Sequence, residues 1–146
     1  MKIFVSGTPK PQPRPKACVR GKHAMMYDCG TADGWKWVVG KAILDTAKQI
    51  GWRKSDKAIK LELTFILPRA KNHFHTSKKN FGELKPDAPV WKKSKPDCDN
   101  LVKAVMDAIT DSNAIWNDDS QVVMLMTSKL YGEQTGCDIV IEELEG

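Results

Sequence analysis

The sequence has no apolar run that approaches the ~20 residues needed to cross a bilayer. Its opening, MKIFVSG, breaks at Gly7 and Pro9 before an apolar stretch of the secretory kind can form, so a cytoplasmic protein is expected. Cysteine is sparse, and Cys18, Cys29, Cys98 and Cys137 include no C-x-x-C pair, which argues against both a zinc knuckle and a disulfide framework. Cys18, His23 and Cys29 lack a fourth partner at zinc spacing, so free thiols are expected. Repeats and low-complexity tracts are also missing. With 146 residues, 41% hydrophobic and 28% charged, the chain suits a single domain over 1–146 with one core.

Acid is absent from residues 1 to 27, which carry Lys2, Lys10, Arg14, Lys16, Arg20 and Lys22. Residues 68 to 95 are also basic: Arg69, Lys71, Lys78, Lys79, Lys85, Lys92, Lys93 and Lys95 face only Glu83 and Asp87. Between 96 and 119 the sign reverses, with Asp97, Asp99, Asp107, Asp111, Asp118 and Asp119 against Lys103 alone. Basic flanks around an acidic centre suit a surface that binds a polyanion around a metal-binding pocket; solvated loops beside an acid-rich helix would give the same pattern.

KIFVSG reads as a short strand. The stretch from 8 to 27 opens with four prolines and has no helical period, so it reads as a basic, proline-rich arm. From Thr31 or Asp33 as N-cap, Trp35, Val38, Val39, Ala42, Ile43 and Ala47 recur at helical spacing until Gly51. AIKLELTFIL alternates Ile59, Leu61, Leu63, Phe65 and Leu67 with polar residues, the pattern of a strand with one buried face, ended by Pro68. Residues 68–95 lack periodicity and read as a long functional loop or partly ordered flap. A second helix follows Pro96, and QVVMLMTSKLYG with CDIVIEE predicts a terminal hairpin turning between Gly132 and Gly136. This order predicts an α+β fold, a mixed sheet of about four strands packed against two helices.

The second helix carries the chemistry. Proline followed by aspartate is a common helix start, because a carboxylate accepts hydrogen bonds from the first amides and favours the positive end of the dipole. One aspartate suffices for that, and KPDCDNLVKAVMDAI has Asp97 and Asp99. Leu101, Val105, Ala108 and Ile109 form an apolar stripe, and Asp99, Lys103 and Asp107 recur every fourth residue along another. An i,i+4 ladder explains Lys103 but neither Asp97 nor the second acidic pair, Asp118 and Asp119, in AIWNDDSQVV. Carboxylates that meet must protonate or hold a cation.

KPDCDNLVKAVMDAI…IWNDDSQV closely resembles the signature of RusA-type Holliday junction resolvases, endodeoxyribonucleases common in bacteriophages and prophages, and GTPKPQPRPK resembles the arm of phage-type members. The resemblance implies that Asp97, Asp99 and Asp119 are metal-binding carboxylates and that Lys103 is a catalytic lysine near the scissile phosphate; Asp118, beside Asp119, is added to them as a candidate ligand. It implies magnesium, with manganese as a substitute, and metal-assisted phosphodiester hydrolysis without a covalent intermediate. Lys10, Arg14 and Lys16 in the arm and Lys78, Lys79, Lys92, Lys93 and Lys95 in the long loop become phosphate contacts to branched DNA. Phe74, Phe81 and Trp91 lie among those lysines as packing or stacking groups, and His73 and His75 read as exposed loop histidines. A four-way junction is nearly two-fold symmetric, so paired cuts imply a homodimer. The alternatives are a broader branched-DNA endonuclease serving phage replication or packaging, and a non-catalytic DNA-binding module.

Overall fold

The computed structural model describes residues 1–13, 16–20, 23–27 and 32–146, with 16–20 and 23–27 described by backbone alone. Strand β1 (Lys2–Ser6) comes first. Within the arm, β2 (Lys16–Arg20) and β3 (His23–Tyr27) pair antiparallel, Ala17 opposite Met26. This ribbon was not expected from the sequence. It begins just past the last arm proline, where every residue regains an amide donor for a ladder.

Helix α1 (Asp33–Ile50) buries Trp35, Val39, Ile43 and Ala47 and leaves Val38 exposed. Ala32 stands at its N-cap position with no side-chain capping bond, in place of Asp33, which lies inside the first turn; Thr31 lies outside the described residues. Asp33 still places negative charge at the positive end of the helix dipole. Gly51, at φ 68°, ends the helix in the left-handed region that glycine enters without strain.

Strand β4 (Ala58–Leu67) alternates as its sequence predicts, with Ile59, Leu61, Leu63, Phe65 and Leu67 all buried. Helix α2 (Cys98–Ser112) buries Leu101, Val102, Ala104, Val105, Ala108 and Ile109. Strands β5 (Val122–Tyr131) and β6 (Gly136–Leu144) follow. The main sheet is mixed, in the order β1-β6-β4-β5, and the two helices complete the α+β architecture. No helix among the described residues is long and apolar enough to cross a membrane.

The terminal hairpin does not form. β4 lies between β5 and β6, parallel to the first and antiparallel to the second, with Leu61 opposite both Leu125 and Ile141. The central position pairs both edges of the most regular strand, one of which a local hairpin would leave open. The link from Tyr131 to Gly136 therefore passes the end of β4, where the Gly132 amide donates to the Leu67 carbonyl at 3.0 Å. A Cβ at Gly132 would stand 2.5 Å from Ile66 Cγ2, and one at Gly136 would stand 2.3 Å from the Val5 carbonyl oxygen. Both glycines serve close approach between strands rather than a tight turn.

One apolar cluster joins the inner faces of β4 and β6 to α1, α2, Ile115 and Trp116. Burial of each such large side chain contributes about 1.5–3 kcal/mol. Residues 68–95 are built against this frame rather than forming a loose flap. His75 donates to Glu83 O at 2.8 Å, Lys85 donates to His73 O at 2.9 Å, and Trp91 bridges Leu130. His73 is buried, against the expectation of exposure, because its ring packs edge-on against Tyr131 with centroids 4.7 Å apart. Phe74 is half-buried, whereas Phe81 and Trp91 are exposed.

Candidate functional site

The second acidic pair is positioned from below. Trp116, buried at the turn after α2, donates from Nε1 to Thr110 Oγ1 at 2.9 Å, and Ile115 O accepts from the Ser55 amide at 2.8 Å. Gln121 then closes the turn. Its Oε1 accepts from the Asn117 and Asp118 amides at 2.7 and 3.1 Å, and its Nε2 donates to Ser55 O and Lys57 O at 3.0 and 2.9 Å. This clamp fixes the short 3-10 turn Asp119–Gln121 against the approach to β4.

Adjacent aspartates thereby acquire different surroundings. Asp118 Oδ1 accepts from the Ser120 amide at 2.9 Å in a reciprocal capping box with Gln121. Hydrogen bonding from Ser120 holds the Asp118 carboxyl below its ordinary pKa. Asp119, half-buried, lines a groove of about 460 Å³ with Asp99, Val102, Lys103, Met106, Asp107, Leu125 and Thr127.

Helix α2 supplies the facing wall. Asp99 lies in its first turn, where Oδ1 accepts from the Asn100 amide at 2.9 Å. Lys103 follows one turn later, with Nζ 3.2 Å from Asp107 Oδ1, and Lys36 of α1 approaches Asp107 Oδ2 at 4.0 Å. Asp97 occupies the N-cap position, yet its side chain makes no capping bond. The ordinary structural use of an aspartate at this place is therefore not the one made of it.

Asp97 lines a neighbouring cavity of about 500 Å³ with Lys10, Lys92, Lys95 and Asn100. Two long-range links hold this corner. The Gln12 amide donates to Asn100 O at 2.8 Å, docking the arm on α2, and Lys129 Nζ donates to Ser94 O at 2.7 Å and Pro96 O at 2.6 Å. Lys129 went unnoticed in the sequence, where its one signal is a cation inside an otherwise uncharged strand. Of the expected phosphate contacts, Lys10, Lys92 and Lys95 gather here. Lys78, Lys79 and Lys93 stand exposed on the 68–95 segment, and Arg14 and the Lys16 side chain lie outside the described residues.

The structure thus brings Asp99, Asp119 and Lys103 to one groove and places Asp97 in the basic cavity beside it. Among the described residues, no three Asp, Glu, His or Cys side chains form a ready-made metal cage. Magnesium does not require one, since it commonly takes one or two carboxylates and completes its shell with water and substrate phosphate. The hard oxygen donors of Asp99 and Asp119 fit that pattern.

A family model described as Endodeoxyribonuclease RusA matches residues 6–142. The chain is 30% identical over 148 residues to "Uncharacterized protein YqaN" of Bacillus subtilis (strain 168), covering 99% of this chain and 96% of that one. It is 41% identical over 54 residues to "Crossover junction endodeoxyribonuclease rusA" of Lactococcus phage r1t, covering 37% of this chain and 40% of that one.

Proposed function

Because the chain belongs to the RusA family of endodeoxyribonucleases, we propose that it resolves four-way DNA junctions by paired, magnesium-dependent hydrolysis of phosphodiesters, acting as a homodimer in the bacterial cytoplasm. The observation that carries this reading is the shared groove of Asp99, Asp119 and Lys103, with a second cavity lined by Asp97 together with Lys10, Lys92 and Lys95.

In this mechanism Asp99 and Asp119 hold the ion, with Asp97 as the third carboxylate. When bound, magnesium supplies a polarised water and offsets negative charge at the attacked phosphorus. Lys103 contributes a second positive group. Its contact with Asp107 is solvent-exposed and worth only about 0.3–0.5 kcal/mol, so exchanging it for a phosphate oxygen costs little. Lys10, Lys92 and Lys95 grip the DNA backbone without reading bases, consistent with recognition of shape over sequence.

Incubation with a mobile four-way junction beside a linear duplex of the same sequence, with and without magnesium, tests the reading. Symmetric nicks across the junction that require the ion are expected. Equal cutting of the linear duplex would move the activity to a broader nuclease, and binding without any nick would reduce the protein to a DNA-binding module.

A further inference from the structure

Asp107 stands between two cations from different helices. Its Oδ1 accepts from Lys103 Nζ at 3.2 Å within α2, and its Oδ2 faces Lys36 Nζ of α1 at 4.0 Å. The three side chains differ in their access to water: Lys103 is 63% exposed, Asp107 25% and Lys36 20%. Lys103 is therefore the end of this row that can swing away on its flexible stem. Lys36 is held near the start of α1, where its amide donates to Ala32 O at 2.9 Å, and it lines the cleft between the helices with Trp37, Gly40, Ala108 and Asp111. Asp107 and Lys103 instead line the groove of Asp99 and Asp119, so Lys36 meets that groove through Asp107.

Departure of Lys103 toward a phosphate has a consequence for the carboxylate it leaves. Asp107 would keep a full negative charge, partly out of water, in a groove that already holds Asp99 and Asp119 and then receives the phosphate as well. Near a protein surface such repulsion is about four times that in bulk water. A cation on the second carboxylate oxygen offsets it. We propose that Lys36 is a positioning residue for Lys103: by neutralising Asp107 from α1, it frees Lys103 to leave that carboxylate and meet a DNA phosphate. Without Lys36, the ammonium that remains on Asp107 among the described residues is Lys103 itself, which is then held in place. The DNA phosphate as target rests on the resolvase reading; the part played by Lys36 rests on the row Lys36, Asp107, Lys103.

Junction binding without magnesium, titrated with salt, tests this row apart from the chemistry. Lys103→Met should flatten the slope of log affinity against log salt by about 0.9, the loss of one phosphate contact. Lys36→Met should flatten it by about the same amount, because Lys103 stays on Asp107, and Lys36→Arg should restore it. In an Asp107→Asn background, where no charge holds Lys103, adding Lys36→Met should change nothing further. At saturating junction with magnesium, Lys36→Met should cut about tenfold more slowly, and that loss too should vanish beside Asp107→Asn. Circular dichroism checks folding, and Lys36→Gln carries the comparison if Lys36→Met does not fold. Losses that persist in the Asp107→Asn background would make Lys36 a direct DNA contact or a merely structural group and overturn the proposal, as would a folded Lys36→Met that matches the unaltered chain. The expected slopes without any cutting by the unaltered chain would sink the resolvase reading and leave the role of Lys36 toward Lys103 standing.

Discussion

Lys129 of β5 donates to the carbonyl of Pro96 at 2.6 Å, so the end of an edge strand holds the residue directly before Asp97. A second bond, to Ser94 O at 2.7 Å, means that removing this ammonium orphans two carbonyls at the entrance to α2. Lys129→Met should lower stability by about 1–3 kcal/mol in urea denaturation. It should also reduce junction cleavage at saturating DNA by more than it weakens binding, because the side chain positions Asp97 without lying in either cavity.

The two neighbouring aspartates should separate cleanly by mutation. Asp119→Asn and Asp99→Asn should retain junction binding in a mobility-shift assay and lose cutting in magnesium by at least about a hundredfold, since each removes a hard donor from the shared groove. Asp118→Asn should keep most of its cutting. Cleavage retained by Asp99→Asn would defeat the proposed chemistry.

Asp118 instead makes a prediction about pH. Hydrogen bonds from Ser120 depress its folded pKa below the ordinary value of 3.8, so its contribution to stability is present above that value and is lost as pH falls through the depressed one. The Tm advantage of the unaltered chain over Asp118→Ala should hold between pH 5 and 7 and shrink in scans taken progressively below about pH 3.8.

Gripping of phosphates at the basic cavity should appear in salt titrations. If Lys10 and Lys95 each neutralise one phosphate, Lys10→Ala and Lys95→Ala should each flatten the slope of log affinity against log salt by about 0.9, and together by about twice that. An unchanged slope in the double variant would place the DNA elsewhere.

Close strand approach makes the link between β5 and β6 intolerant of side chains. Gly136→Ala puts a Cβ 2.3 Å from Val5 O, a backbone atom that cannot swing aside, and should cost about 1–3 kcal/mol or more in denaturant titration. Gly132→Ala meets the Ile66 side chain at 2.5 Å, where rotation offers some relief, and should cost less.

Much of this architecture is written in local pattern. The stripe Trp35, Val39, Ile43, Ala47, the stripe Leu101, Val105, Ala108, Ile109 and the alternation from Ile59 to Leu67 each state which face is buried, because helix and strand periods differ and a buried apolar face is the dominant stabilising term. The segregation of basic arm and loop from an acidic centre, and the pairs at Asp97/Asp99 and Asp118/Asp119, were equally legible. Periodicity names a face but never a partner. That β4 inserts between β5 and β6, that Asp119 joins Asp99 while Asp118 caps its own turn, that Asp97 stands among Lys10, Lys92 and Lys95, and that Lys129 reaches back to Ser94 and Pro96 were all decided by tertiary structure. These are pairings between segments remote in the chain, and they are selected by satisfying every strand edge and buried polar group at once, a condition no short window of sequence contains.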